Sequence, residues 1–390
     1  MNNMISVNDY KSISVEKKVR DFLNPDYVYI PIPYGYSIIV KTEDHVFKEQ
    51  VIIKGDKYIY SPVSGKVIGV TDSMHIHNAN INCLIIENDF EERVENRHGV
   101  SKYINDFKKE EMLELIDKYQ ACDINFRENA KTLLINGIDK DPFERTRSFI
   151  INSYSDKLLE TIDALLTILD VQETIFTINN SDTLNVVNVS NNIGTYPNIK
   201  LKLIPDIYPL GFPSILIKNV LSKREINDGV IMLNVEDVYN IYNVLKRKKP
   251  ITEKLVTVSG NAIESPLVVN VKIGTSMADL IKNVCKVCDD NYFVVINGLI
   301  AGISLKSLSS VITSSTRSIF LSTKDNSKES LCINCGLCNS KCPVHLNPKY
   351  LREHKNADKS KCIHCGLCTY LCPSKINFKT YLEGDESHEK

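Results

Sequence analysis

Between residues 26 and 90 the chain alternates short apolar runs with polar and turn-forming residues. Five runs are rich in β-branched and aromatic residues and are bounded by Pro or Gly, which is the pattern of short strands. The predicted strands cover residues 27–30, 37–41, 51–53, 58–60 and 66–70. This part of the chain is therefore predicted to be all-β. His75 and His77 would share one strand face, which is more typical of a polar strand surface than of a metal site.

From residue 100 to residue 250 the pattern changes to helices that alternate with strands. Met112, Leu113, Leu115 and Ile116 fit one face of an amphipathic helix over residues 101–120. Further helices are predicted at 156–169 and 237–246, and strands at 132–135, 173–178 and 200–204. The polar, Asn-rich residues 179–195 are predicted to form a loop with one short strand. Such alternation is typical of an α/β domain with a mostly parallel sheet.

A C-x-x-C pair, Cys285 and Cys288, lies in the next region of the chain. This pair could be a redox or metal site, but its surroundings predict a helix, where free cysteine is a common core residue. A last strand is predicted at 318–321, within a Ser-, Thr- and Lys-rich stretch that continues as a linker to residue 330.

Composition narrows the class of protein. The 390 residues are 43% hydrophobic and 24% charged, with a net charge of -1, as expected of a globular chain without a polyelectrolyte or nucleic-acid role. No apolar run approaches the ~18 residues that suggest a membrane span, and the N-terminus has no apolar secretory segment. We therefore expect a cytoplasmic protein, with peripheral attachment at the inner face of the cell membrane left open.

Two copies of one cysteine motif end the chain. Cys332-Ile-Asn-Cys335-Gly-Leu-Cys338-Asn-Ser-Lys-Cys342-Pro returns, from residue 362, as Cys362-Ile-His-Cys365-Gly-Leu-Cys368-Thr-Tyr-Leu-Cys372-Pro. Each copy is the C-x2-C-x2-C-x3-C-P run that ligates a 4Fe-4S cluster, and its fourth cysteine serves the other cluster. The predicted ligands are Cys332, Cys335, Cys338 and Cys372 for the first cluster, and Cys362, Cys365, Cys368 and Cys342 for the second. Zinc and disulfides are the alternatives, but zinc sites need neither the fourth cysteine nor the proline.

Basic residues surround these motifs. From Cys332 to Lys379 there are eight Lys or Arg residues, against the two acidic residues Glu353 and Asp358. Compensation of the clusters' negative charge is the favoured explanation. A docking patch for an acidic ferredoxin or flavodoxin-like protein is the alternative.

Several stretches resemble the RnfC-like family, whose members are components of the Rnf electron-transport complex and are similar to the NADH- and flavin-binding subunit of respiratory NADH dehydrogenase. Residues 60–67 resemble a barrel-sandwich (lipoyl-like) hairpin without a carrier lysine at its tip. Asn136-Gly137-x-Asp139-x-Asp141-Pro142-Phe143 resembles the family's NG-x-E-x-EP-Y segment. Residues 252–262 and 271–275 resemble its soluble-ligand-binding β-grasp (SLBB-like) domain, and the twin cysteine motifs follow in the family's order.

This resemblance implies a multidomain chain of α/β and β structure. It implies a barrel-sandwich hybrid at 26–95, a Rossmann-like α/β domain at 100–250, a β-grasp domain at 251–322, and a dicluster ferredoxin-like α module at 330–380.

Two departures from the family concern its flavin site. The family places a glycine-rich loop before the NG strand, where glycine lets phosphate approach backbone N–H groups. This chain has no glycine between Gly99 and Gly137, and the family's Y-P-x-G-G-E-K is reduced to Tyr208-Pro209-Leu-Gly211-Phe-Pro213. The sequence therefore predicts that binding of FMN and NADH is lost and that the flavin and NADH site is degenerate.

The function that follows is electron relay between redox partners through two 4Fe-4S clusters, because no set of residues suggests a nucleophile or an acid–base pair. Close relatives in the family serve soluble reductases, and the proline-reductase-associated electron carrier is similar in this respect. The expected partners are ferredoxin, flavodoxin, a reductase or Rnf membrane subunits. Two alternatives stay open: an NADH-oxidising, FMN-dependent subunit of an Rnf-type ferredoxin:NAD oxidoreductase, and a structural adaptor of a redox complex.

Overall fold

The computed structural model describes residues 4–6, 19–94, 103–124, 126, 130–323, 328–354 and 357–382. Four groups of elements follow one another along these residues, and each encloses apolar side chains of its own. In the described part of the chain, no helix is long and apolar enough to cross a membrane.

The first group is all-β, as predicted. A preceding strand, β1 (Arg20–Phe22), belongs to the third group. The strands of the first group are β2 (Tyr27–Pro31), β3 (Ser37–Ile38), β4 (His45–Val46), β5 (Val51–Lys54), β6 (Tyr58–Tyr60), β7 (Gly65–Met74) and β8 (Asn80–Asn88). Antiparallel sheets with the orders β2-β8-β7-β4 and β3-β5-β6 enclose Val28, Ile52, Val67 and Ile86. The expectation for His75 and His77 is wrong, because both lie beyond the end of β7, in the turn before β8.

The second group is the α/β region. It contains a 3-10 turn at Ile104–Asp106, then α1 (Lys109–Lys118), β9 (Thr132–Asn136), α2 (Thr146–Leu169), β10 (Glu173–Asn179), α3 (Thr183–Ile193), β11 (Ile199–Ile204), α4 (Pro213–Val220), α5 (Lys223–Asn227), β12 (Val230–Asn234) and α6 (Val235–Arg247). The four strands are parallel, in the order β11-β10-β9-β12. The strand order therefore reverses at β9, and the carboxyl ends of β9 and β12 lie side by side.

The predicted loop at 179–195 is instead mostly the helix α3. Its asparagines are structural: Asn185 donates to the backbone oxygen of Ser148 at 3.0 Å and Asn188 to the side chain of Asn152 at 2.7 Å, both on α2. Val189 is fully buried beneath them. Asparagine is a poor helix former on its own, so these contacts with α2 offset a weak local preference.

The third group is one mixed sheet with the order β1-β14-β13-β17-β15-β16. Its further elements are β13 (Glu253–Ser259), β14 (Leu267–Lys272), α7 (Met277–Val284), β15 (Tyr292–Ile296), β16 (Ile303–Ser304) and β17 (Ser318–Thr323). The apolar face of α7, with Leu280 and Ile281, is buried against this sheet. β1, near the start of the chain, forms the edge strand by pairing in parallel with β14.

The last group contains four short helices: α8 (Leu337–Ser340), α9 (Pro348–Glu353), α10 (Leu367–Tyr370) and α11 (Lys379–Leu382). Leu351, Ile376, Phe378 and Leu382 are buried together, and cysteines of both motifs pack around them. Two small voids lined by cysteine lie beside this core.

Candidate metal centres

Each void is lined by four of the eight predicted ligand cysteines. Cys332, Cys335, Cys338 and Cys372 line the first. Cys342, Cys362, Cys365 and Cys368 line the second. Three cysteines of each quartet come from one motif and the fourth from the other, so the chain brings together the two sets that the spacing predicts.

The two motifs adopt the same backbone. Gly336 and Gly366 both have φ of 72° and stand immediately before α8 and α10. A left-handed residue costs glycine little, and it turns the chain so that the third cysteine lies on the short helix. The fourth cysteines, Cys342 and Cys372, follow just beyond the ends of these helices. There each one is turned toward the opposite void.

Hydrogen bonds tie the crossed segments together. Ser374, two residues after Cys372, donates through its hydroxyl to the backbone oxygen of Leu331 at 2.9 Å, beside Cys332. Ser330 N in turn donates to Ser374 O at 2.9 Å. On the other side, Leu346 N donates to the sulfur of Cys342 at 3.3 Å. Hydrogen bonds to cluster sulfurs are among the features that influence reduction potential.

The chemistry of the ligand set fits an iron–sulfur cluster. A 4Fe-4S cluster takes four thiolates, which supply both ligands and negative charge. In the described part of the chain, no three His, Cys, Asp or Glu side chains are close enough to hold a single metal ion. The cysteines surround voids and do not converge on a point, and a cluster with one thiolate on each iron needs such spacing.

The two quartets differ in their surroundings. Cys335 of the first is exposed, whereas Cys365 of the second is buried. Burial raises the pKa of Cys365 and Cys368 to about 12, and burial also raises the pKa of Cys338. These thiols are protonated at neutral pH without iron, so cluster assembly must release their protons.

The second quartet packs against the α/β region and the third group of elements. Tyr208, in the loop between β11 and α4, is buried and donates its hydroxyl to the backbone oxygen of Cys365. Lys379 Nζ donates to Gly302 O in the third group of elements. Leu367 packs with Ile300 in one shared apolar cluster. The sequence analysis missed Tyr208, whose only signal was its place in the Tyr-Pro-Leu-Gly stretch.

The aspartates after β9 serve as structural acceptors. Asp139 accepts from Arg147 N at 2.9 Å and from Ser148 N at 3.3 Å, near the start of α2. Asp141 accepts from Ile300 N at 2.9 Å and Ala301 N at 3.1 Å, which links the α/β region to the third group. Burial raises the pKa of Asp139 to about 7 and that of Asp141 to about 6.

A large cavity, with a volume of about 830 Å³, opens where the strand order reverses. Lys140, Gly211 and Asn234 line it at the carboxyl ends of the strands. Tyr154 and Tyr239 are stacked at 4.7 Å along another wall. In α/β sheets, ligands bind preferentially at such a reversal. The stretch that would carry a glycine-rich loop, residues 120–131, lies partly outside the described residues.

Cationic groups of the third group of elements complete this cavity. Lys254 donates to Ser314 O, and burial lowers its pKa to about 8. Arg317 Nε lies 3.3 Å from Glu144 Oε1. Sequence reasoning missed this wall, because Lys254 and Arg317 lie more than 100 positions after Lys140, which lines the same cavity.

Cys285 and Cys288 are not both on α7. Cys285 ends that helix, and burial raises the pKa of its thiol to about 11. Cys288 is exposed, and its backbone N donates to Ala262 O at 2.9 Å. A high thiol pKa disfavours the reactive thiolate, so the geometry fits a packing role for Cys285.

Three family models match successive parts of the chain. The RnfC barrel-sandwich hybrid domain matches residues 2–91, the Nuo51 FMN-binding domain residues 118–244, and the 4Fe-4S dicluster domain residues 324–382. The chain is 26% identical over 378 residues to the C subunit of the proton-translocating ferredoxin:NAD(+) oxidoreductase complex of Clostridium ljungdahlii, covering 88% of this chain and 81% of the relative. These matches support the RnfC-like family for this chain. The resemblance drawn from its motifs is confirmed.

Other RnfC-like relatives are longer. The C subunit of the ion-translocating oxidoreductase complex of Pasteurella multocida is 25% identical over 376 residues, but the match covers 87% of this chain and only 45% of the relative. The corresponding protein of Haemophilus influenzae strain PittEE is 23% identical, with 58% of its length covered. This chain therefore spans about half the length of these two relatives.

Among solved structures, a chain of the NAD+-reducing [NiFe]-hydrogenase in its H2-reduced state is similar, with a TM-score of 0.51 at 13% identity. The match covers 74% of the RnfC-like chain and 66% of the hydrogenase chain. At this identity the likeness concerns the fold alone.

Proposed function

We propose that this chain is an iron–sulfur electron-transfer protein that relays electrons between redox partners through two 4Fe-4S clusters. The crossed cysteine quartets carry the proposal. Cys332, Cys335, Cys338 and Cys372 would hold one cluster, and Cys342, Cys362, Cys365 and Cys368 the other. Each cluster supplies one-electron transfer when bound. The protein's part is to keep the two clusters close together and to bury one of them against its own α/β region.

Iron content and paired cysteine substitutions test this assignment. Protein reconstituted anaerobically should bind about eight irons, two clusters of four, and should give a low-temperature paramagnetic signal after dithionite. The Cys332→Ala/Cys372→Ala variant should lose one cluster, because both residues serve the same one. The Cys332→Ala/Cys342→Ala variant should damage both. If the first variant lost both clusters and the second lost one, the cysteines would not be exchanged between motifs.

The domain assignment is part of the proposal. We assign one domain to each of the four groups of elements. These are a barrel-sandwich domain at 26–95, a Rossmann-like domain at 100–250, an SLBB-like β-grasp domain at 251–322 and a cluster module at 330–380. The parallel order β11-β10-β9-β12 supports the Rossmann-like assignment. A single helix, α7, packed on a mixed sheet supports the β-grasp assignment. Limited proteolysis should cut near these boundaries.

A second candidate is the NADH-oxidising, FMN-dependent subunit of an Rnf-type ferredoxin:NAD oxidoreductase. The 830 Å³ cavity at the strand reversal favours it. The missing glycines oppose it, since a phosphate needs close approach to backbone N–H groups, and we propose that FMN and NADH binding are lost. Purified protein should then take up no FMN in equilibrium dialysis. A flavin absorbance band bleached by NADH would establish the second candidate instead.

The proposed partners are ferredoxin, flavodoxin, a reductase or Rnf membrane subunits, and the proposed location is the cytoplasm or the inner face of the cell membrane. Relatives named as components of ion-translocating complexes support a membrane-bound partner. Membrane-subunit genes beside this one would favour an Rnf complex, and a reductase operon would favour a soluble carrier. If deleting residues 331–390 left electron flow unchanged, the chain would be a structural adaptor.

A further inference from the structure

The two cysteine motifs are repeats offset by thirty residues, as from Cys332 to Cys362, so each surface position of one has a counterpart in the other. Ile363 and Leu367 of the second motif pack into the apolar cluster shared with the α/β region, and Leu367 is only 1% exposed. Their counterparts in the first motif face outward: Ile333 is 64% and Leu337 37% exposed. The same side chains are thus used as a packing surface in one copy and left uncovered in the other.

The backbone around the two glycines repeats this contrast. A Cβ added at Gly366 would lie 2.0 Å from Ile300 O, because the second motif is pressed against that loop. At Gly336, with the same φ of 72°, a Cβ would meet nothing within 4 Å. The second motif needs glycine both for its turn and for close approach. The first motif leaves the corresponding position open.

A pair of lysines completes the comparison. Lys379 Nζ donates to Gly302 O across the contact between the module and the third group of elements. Its counterpart is Lys349, which borders the first cysteine void. Within the described residues, no hydrogen bond or ion pair of Lys349 Nζ is found. Half-buried Lys349 therefore stands where the second motif uses a lysine to hold a neighbouring backbone.

We propose that Ile333, Leu337 and Lys349 form a docking face for a small acidic ferredoxin, which would cover the first motif as the α/β region covers the second. The inference deepens the proposed function and rests on it. The face is small, as in transient redox complexes. The eight Lys or Arg residues between Cys332 and Lys379, against two acidic residues, make an acidic partner complementary. Cys335 is exposed and lines the same void as Ile333, Leu337 and Lys349, so the first quartet would lie beside the partner.

Equilibrium binding tests the face without relying on turnover. Oxidised, reconstituted protein is titrated calorimetrically with an oxidised, acidic two-cluster ferredoxin. Ile333→Ser should weaken binding about tenfold, and Lys349→Ala should weaken it severalfold while reducing the dependence of Kd on salt. Matched controls lie elsewhere on the surface: Lys361→Ala, exposed beside the second motif, and Tyr34→Ser, exposed on the barrel, should leave Kd within twofold.

Three outcomes would overturn the inference. If both face variants bound as the unsubstituted protein does, the ferredoxin would dock elsewhere. If Lys361→Ala weakened binding as much as Lys349→Ala, the attraction would be diffuse charge attraction and not a defined face. A concentration-dependent dimer dissolved by Ile333→Ser would show that a second copy of this chain covers the face. Iron content and the paramagnetic signal are recorded for every variant. Intact clusters with unchanged binding would contradict the docking face alone, whereas absent clusters in the unsubstituted protein would contradict the proposed function itself.

Discussion

At the scale of single residues, local spacing was sufficient for the cysteines and insufficient for their neighbours. The first three cysteines of each C-x2-C-x2-C-x3-C-P run lie within one turn and one short helix, and the fourth cysteine serves the other quartet. Both quartets are brought together as predicted. Tyr208 could not be predicted, because its contact with Cys365 joins residues 157 positions apart. Asp139 and Asp141 stood out in the sequence only through the family resemblance, and the contacts of Asp139 with N–H groups near the start of α2 were not predicted.

Asp139 makes the stability of the fold depend on pH. Its folded-state pKa, about 7, lies above the ordinary value of 3.8 because burial disfavours the carboxylate. A raised pKa contributes stability that is present below the unfolded value and is lost as pH rises through the folded value. Asp139→Asn cannot ionise and keeps an oxygen acceptor. The thermal midpoint of this variant, relative to that of the unsubstituted protein, should therefore rise as the pH is raised from 5 to 8. A difference that stayed constant over this range would refute the role given to burial.

At the scale of elements, alternation and period predicted most strands and the helices α1 and α6. They failed where tertiary contacts replaced local preference. The strand predicted at 66–70 extends over Gly65–Met74, because pairing with β8 continues past the local pattern. The helix predicted at 156–169 is the second segment of α2, which is kinked at Tyr154 with φ of -140°, and the first segment, from Thr146, was not predicted. α3 was missed because its polar side chains, Asn185 and Asn188, are bonded to α2.

The helical face of α3 can be tested by two valines two positions apart. Val189 is fully buried, whereas Val187 is 54% exposed. Val189→Ala should cost about 1–3 kcal/mol through lost burial and a residual cavity, which would lower the thermal midpoint by about 2–6 °C. Val187→Ala should change it by less than about 1 °C. Equal effects in a thermal scan would mean that this segment does not present one buried helical face.

At the scale of the whole molecule, the order of the groups was predictable from the family resemblance, but their assembly was not. β1 lies near the start of the chain but forms the edge strand of the third group's sheet, where it pairs with β14. Lys272 of β14 is fully buried, and its Nζ lies 3.6 Å from Glu92 Oε1 and 3.7 Å from Glu253 Oε2. No local pattern marks such contacts. Their consequence is that the cluster module rests on a body in which residues about 250 positions apart, such as Arg20 and Val269, are paired.

The contact between this body and the module should protect one cluster and not the other. Tyr208→Phe removes the hydroxyl that donates to Cys365 O and leaves a buried carbonyl without that donor, which costs about 1–3 kcal/mol. The second cysteine quartet should then release iron to a chelator several times faster. The measurement is made in the Cys332→Ala/Cys372→Ala background, where only that quartet is complete. Tyr350→Phe, at an exposed tyrosine stacked on His354 at 4.0 Å, is the matched control and should leave iron release unchanged.

Because the first quartet faces solvent, Tyr208→Phe should not alter iron release in the Cys342→Ala/Cys362→Ala background. Equal acceleration in both backgrounds would mean that Tyr208 stabilises the module as a whole and does not seat the second motif.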